Sequence, residues 1–182
     1  MTAVPSNLIR ASESLARSFP PLVAEGCQVL ILGSMPGKRS LEQRQYYAHP
    51  RNLFWPFMGE LYGIGHELPY DDRIRVLQQR RVGIWDVLAE CDRPGSLDGS
   101  IDMDTEIPND IAGLLTRHPT INVIALNGGK AQQSFRRYIE RALDPATRQR
   151  LRVLSMPSTS AANAGIPLAI KRAQWQRLLD NG

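Results

Sequence analysis

The sequence predicts an α/β sandwich built on a largely parallel sheet, and three observations predict it. Short runs rich in Val, Ile and Leu lack polar alternation, as strands buried on both faces do. Segments with one apolar stripe at helical spacing lie between those runs. Each run ends at a glycine or at a Ser/Pro loop, the punctuation of a strand-to-helix connection.

Taken in order, residues 28–32 (QVLIL) form the first expected strand, stopped by Gly33. A helix follows at Leu53, with Phe54, Phe57, Met58 and Leu61 as its apolar side and Pro56 near its first turn. Residues 70–81 carry Ile74 and Leu77 against a dense polar face. Residues 82–87 (VGIWDV) are a weaker strand candidate. Residues 108–117 read as a helix with Pro108 in its first turn, where a missing amide is harmless. Residues 121–126 (INVIAL) form a strand, and residues 130–143 a helix striped by Phe135, Tyr138, Ile139 and Ala142. The last pair is a strand at 151–154 (LRVL) and a helix at 167–179, striped by Ile170, Trp175, Leu178 and Leu179. No repeat or linker divides the chain, so one domain over 1–182 is expected.

Ligands of such sheets bind beyond the carboxyl ends of the strands, and three loops leave those ends. The first is Gly33-Ser34-Met35-Pro36-Gly37, a tight turn whose amides can approach a phosphate or a base. Alone it is an ordinary Gly/Pro loop. The stretch Tyr46-Tyr47-Ala48-His49-Pro50-Arg51-Asn52 is denser in chemistry. A flat aromatic beside amide and imidazole groups suits a pocket for a planar heterocycle, which stacks on the ring while the polar groups read its edge. Each residue also has a plain role: Asn52 as a helix cap, His49 as a buried hydrogen-bonding group. The second loop, Asn127-Gly128-Gly129-Lys130-Ala131, lacks the first glycine and the hydroxyl of a P-loop. It still offers Asn127 as a base-reading amide and Lys130 as a phosphate contact at a helix start. The third, Met156 to Gly165, sets Ser158, Thr159, Ser160 and Asn163 on small residues that can follow a nucleic-acid backbone.

Composition bounds the partners. The 182 residues are 42% hydrophobic with a net charge of +4, and only Lys38, Lys130 and Lys171 of the 22 basic residues are lysine. Arginine suits bidentate phosphate contacts, which permits nucleic-acid binding without requiring it. No apolar run approaches the roughly 20 residues of a membrane span, and MTAVPSNLIR is no export signal. Cys27 and Cys91 make neither a disulfide framework nor a metal site, so no metal, no other cofactor and a cytoplasmic setting are expected.

GSMPG, AHPRNLFW, NGGKA and PSTSAAN, in that order, resemble the uracil-DNA glycosylase superfamily, and most closely its hypoxanthine-DNA glycosylase branch. The likeness runs from about Gln28 to Trp175. It implies a three-layer α/β/α sandwich with a central, mostly parallel four-stranded sheet. It also implies a monomer that excises a deaminated base from double- or single-stranded DNA. In relatives the first loop supplies an Asp or Asn that handles water, and the last motif often starts with histidine. Here Met35 and Met156 stand at those places, and methionine does neither job. The likeness therefore moves catalysis to Asn52, with His49 as a hydrogen-bond donor to the leaving base. Tyr47 becomes the stacking aromatic and Asn127 a contact to the flipped base. Gly33, Ser34, Met35 and Pro36 line the base site. Lys130, Ser158, Thr159, Ser160 and Asn163 meet the DNA.

A lyase would need an activated lysine, and Lys38 alone lies near the first loop, so simple hydrolysis is expected. Two alternatives remain at this stage. One is a uracil-preferring or broad-specificity enzyme on the same fold. The other is a nucleic-acid-binding domain without activity, prompted by Met35 and Met156.

Overall fold

The computed structural model describes residues 14–180. Four parallel strands form the central sheet: β2 (Val29–Gly33), β3 (Val82–Asp86), β6 (Val123–Asn127) and β7 (Arg152–Met156), in the order β3-β2-β6-β7. The strand segments expected from the sequence agree with these to within two residues at each end. Alternation along β2 explains the two-sided core. Val29 and Ile31 face one apolar cluster, Leu30 and Leu32 the other.

The first cluster is closed by α2 (Phe54–Tyr62), α3 (Tyr70–Gln79) and α7 (Leu168–Gln176) through Phe54, Phe57, Met58, Leu77 and Trp175. The second is closed by α4 (Ile111–Arg117) and α5 (Gly129–Ser134), the latter continuing as a π-helical turn, Phe135–Ile139. Three layers result, as expected. Two six-residue helices, α1 (Lys38–Gln43) and α6 (Pro145–Arg150), and two 3-10 turns, Asp98–Ser100 and Met103–Thr105, are also present.

A second sheet was not foreseen. β1 (Leu15–Arg17), β4 (Leu88–Asp92) and β5 (Ile107–Pro108) pair antiparallel in the order β1-β4-β5. It captures Pro108, which pairs with Leu88 instead of opening a helix. Asp110 caps α4 instead, its carboxylate accepting the Gly113 amide at 2.9 Å.

Two further expectations change. The apolar run at 151–154 predicts a strand buried on both faces. β7 is an edge strand, with Val153 43% exposed and Leu154 and Met156 buried, so it alternates. In the last helix, Ile170 and Leu179 lie outward, and the inward stripe is Lys171, Trp175 and Leu178. No helix among the described residues is long and apolar enough to cross a membrane.

Candidate active site

The parallel strands end together. Gly33 of β2 lies opposite Asp86 of β3, and Asn127 of β6 opposite Met156 of β7. The loops that leave these ends enclose a cleft of about 710 Å³. Gly33, Ser34, Met35, Pro36, Tyr47, His49, Asn52, Asn127, Lys130, Ser158, Thr159, Ser160 and Asn163 all line it. Every site residue expected from the sequence is therefore gathered in one place.

The first loop presents backbone. Met35 is 6% exposed and packs into a third apolar cluster with Ala16, Leu88, Cys91 and Ile101. Below it, Arg93 is buried and donates from Nη2 to the Pro36 carbonyl at 2.6 Å. Ser34 Oγ donates to Asp98 Oδ1 at 2.7 Å. Met35 thus adds no reactive group, and the loop is held from behind by a buried guanidinium.

The segment after α1 is fixed at many points. Trp55 Nε1 donates to the Tyr46 carbonyl at 3.1 Å, and the Ala48 amide donates to Ser40 Oγ at 3.2 Å. Between them Tyr47 takes φ +57°, a left-handed conformation unfavourable for a tyrosine. Its ring stacks on Phe54 at 3.8 Å and 15°. The strained turn carries the ring from the core into the wall of the cleft.

His49 and Asn52 have defined polarity. The Arg51 amide donates to His49 Nδ1 at 3.1 Å, so the neutral imidazole carries its proton on Nε2. His49 is exposed at the rim, not buried. The Phe54 amide donates to Asn52 Oδ1 at 2.9 Å, which fixes that oxygen inward and leaves Nδ2 without a protein acceptor among the described residues. The cap and the free donor coexist in one side chain.

The second and third loops are tied together. Asn127 Nδ2 donates to Thr159 Oγ1 and its Oδ1 accepts the Thr159 amide, both at 3.0 Å. Both ends of the expected base-reading amide are thus engaged, and the Thr159 side chain is turned inward. Gly128 has φ +99°, and a Cβ there would lie 2.9 Å from the Ser158 Cβ, so only glycine permits this approach. Lys130 is ion-paired with Glu106, and its Nζ also lies 3.4 Å from Gln133 Oε1. Ser158 and Ser160 accept loop amides through Oγ at 3.1 and 3.3 Å, which leaves each hydroxyl proton for another acceptor. The Thr159 carbonyl accepts the Leu53 amide at 2.9 Å, joining the last loop to the first helix of the site.

Three contributors escaped the sequence reading. Lys171 is 3% exposed and donates to the carbonyls of Ser158 and Asn163 at 2.9 and 2.6 Å, gathering both ends of the last loop. Burial pulls its ammonium below the usual lysine range. Arg93 buttresses the first loop. Asp86 lies at the cleft floor, 2% exposed, and burial pushes its carboxyl up to about 7. The Tyr46 hydroxyl works against that rise and the Asp98 charge with it. A lysine at the head of a helix's inward stripe and an Asp inside VGIWDV give no local signal. Only the interruption of an apolar run at a strand end marked Asp86.

Comparison with known proteins agrees with this geometry. A family model described as the uracil DNA glycosylase superfamily matches residues 20–179. A protein named hypoxanthine DNA glycosylase from Methanosarcina acetivorans is 38% identical over 118 residues, covering 64% of this chain and 73% of its own length. One of the same name from Methanosarcina barkeri is 37% identical over 118 residues, covering 63% and 72%. A solution NMR structure of a candidate uracil DNA glycosylase from Methanosarcina acetivorans superimposes with a TM-score of 0.75. It shares 30% identity and covers 90% of this chain and 96% of that one. With its strands, its three loops and nearly its whole described length accounted for, this chain belongs to the uracil DNA glycosylase superfamily.

Proposed function

We propose that this protein is a DNA glycosylase that hydrolyses the N-glycosidic bond of a deaminated base, hypoxanthine foremost, and leaves an abasic site. The observation that carries the reading is the pair of oriented donors, Asn52 Nδ2 and His49 Nε2, at one edge of a cleft walled by the Tyr47 ring.

Cleavage develops positive charge on the sugar and negative charge on the departing base, so fixed donors toward the base lower the barrier. Hypoxanthine offers acceptors at O6, N7 and N3. Asn52 and His49 donate there, each held in orientation by a backbone amide. Tyr47 stacks on the extruded base through the face not covered by Phe54. Gly33, Ser34, Met35 and Pro36 form the backbone cradle. Asn127 holds the wall by fixing Thr159 and meets the base from there. Ser158, Ser160 and Asn163 approach the DNA backbone, with Lys130 beside them. Water-handling side chains of the usual kind are missing because Met35 and Met156 are both buried apolar groups. That favours hypoxanthine over uracil. Flipping costs a few kcal/mol and least at a mispair, so I·T and U·G pairs open most readily.

Base release from duplexes carrying I·T, U·G, X·C or only normal pairs tests the reading. Hypoxanthine is expected to be released fastest. Binding that is salt-sensitive and lesion-independent, with no base released, would identify an inactive DNA-binding domain instead. Asn52→Ala should lower single-turnover cleavage by about 10²–10³-fold, the effect of one preorganised donor, while duplex affinity stays near that of the parent. Unchanged turnover would overturn the assignment of Asn52.

A further inference from the structure

Positive charges that are partly or wholly buried in this protein meet an oxygen. Arg93 donates to the Pro36 carbonyl, Arg150 to the carbonyls of Ile121 and Leu115, and Lys171 to those of Ser158 and Asn163. Lys130 pairs with Glu106 and Arg172 with Glu60. Arg73 of α3, itself half-buried, is the exception among the described residues. Its Nε is buried without a hydrogen-bond partner. The carboxylates nearest in sequence and space are engaged elsewhere: Asp72 accepts from Arg75 at 2.7 Å, and Glu60 from Arg172 at 2.7 and 3.1 Å. The guanidinium lies instead over the Trp55 ring, 4.7 Å from its centroid, with the Tyr70 ring at 5.8 Å. Burial pulls it below the usual arginine range. A desolvated charge without a counter-ion is costly.

Arg73 and Trp55 both line a chamber of about 870 Å³. Tyr47, His49 and Asn52 line this chamber and the cleft alike, so the segment that carries them is a wall common to the two. The acidic group bordering the chamber, Glu60, is neutralised by Arg172. The chamber therefore holds one cation with no matching anion.

We infer that this chamber is a phosphate subsite, in which Arg73 binds a backbone phosphate of the DNA strand that leaves the cleft across the shared wall. A guanidinium fork matches two phosphate oxygens at once, and stacking on Trp55 fixes its plane beforehand. The shared wall makes the strand the source. A strand seated in the cleft carries phosphates on both sides of the extruded nucleotide, and the chamber next door offers one of them an unmatched cation. Free phosphate has the same chemistry but nothing to hold it there. The subsite rests on the DNA glycosylase reading above and adds to it a residue outside the three loops.

The experiment uses duplexes carrying the non-cleavable 2′-fluoroarabino analogue of deoxyinosine, in which an uncharged methylphosphonate replaces one flanking phosphate at a time. Affinity is measured for the parent, Arg73→Met and Arg73→Gln, with melting curves as a check on folding. In the parent, the linkage that meets Arg73 should cost about 10-fold when neutralised, the effect of one hydrogen bond to a charged group. In both variants that cost should disappear while the costs at other linkages stay. The slope of log affinity against log salt should flatten by about 0.9, one phosphate contact. A mere loosening of Trp55 would weaken every duplex alike and single out no linkage. A flat scan in the parent, or the same scan in parent and variants, would overturn the subsite. Inorganic phosphate titrated against tryptophan fluorescence is the second arm. Binding that needs Arg73, beside an unchanged scan, would overturn the strand as its source. A cleavable deoxyinosine duplex assayed alongside separates the two claims. An Arg73-dependent linkage without base release sinks the glycosylase reading and leaves the subsite standing. Base release with an unchanged scan does the reverse.

Discussion

At the scale of single residues, the site is made from atoms whose partners leave one function open. Asn52 gives its oxygen to the Phe54 amide and keeps its donor, and His49 gives Nδ1 to Arg51 and keeps Nε2–H. Gly33 has the opposite character, since its value lies in the atoms it lacks. Gly33→Ala forces a methyl to within 2.6 Å of Asp86 Oδ1 and displaces that carboxylate, because the neighbouring strand leaves little room to yield. The displaced carboxylate and the shifted first loop misshape the cleft floor, so cleavage of deoxyinosine should fall at least about 10-fold, ~1.4 kcal/mol of transition-state stabilisation, with secondary structure by circular dichroism intact. Tyr47, His49 and Asn52 were legible in the sequence because they crowd into seven residues. Asp86, Arg93 and Lys171 were not, since burial of a charge depends on partners far along the chain. Arg93 meets Pro36 across 57 positions.

Elements repeat the lesson with a different cause. Apolar runs revealed the four parallel strands because both faces of β2, β3 and β6 are covered. The small antiparallel sheet stayed hidden because its strands have two to five residues and no sustained alternation. It matters to the site nonetheless, for Leu88 and Cys91 of β4 help to bury Met35. α7 joins core and loop in one helix: Trp175 packs on the sheet and donates from Nε1 to the Pro157 carbonyl at 3.0 Å, while Lys171 holds Ser158 and Asn163. Lys171→Met keeps the stem but strands two carbonyls and frees both ends of the loop. Duplex affinity should drop about 5- to 50-fold, in line with one or two unmet hydrogen bonds. The quenching of 2-aminopurine placed beside the lesion reports whether the loop has lost its seat.

For the whole molecule, the net charge of +4, supplied chiefly by arginine, bears on partners rather than on the fold class. It should dominate affinity for undamaged DNA. The logarithm of that affinity should fall linearly with the logarithm of salt concentration, with a slope of about −0.9 for each phosphate contacted. The substrate preference between I·T and normal duplexes should be far less sensitive, because base contacts release no counterions. Titration from 50 to 200 mM salt, on the order used for such slopes, distinguishes the two contributions.

The ties among the loops have a consequence for how damage is found. Asn127 grips Thr159, Thr159 holds Leu53, and Lys171 draws the two ends of the last loop together. A cavity braced in this way by its own loops has little left to rearrange. The deformation then falls on the double helix, whose own looseness at a mismatched pair becomes the first filter. A cleft so held should act as a rigid gauge, with the nucleotides that breathe most often the first to be measured.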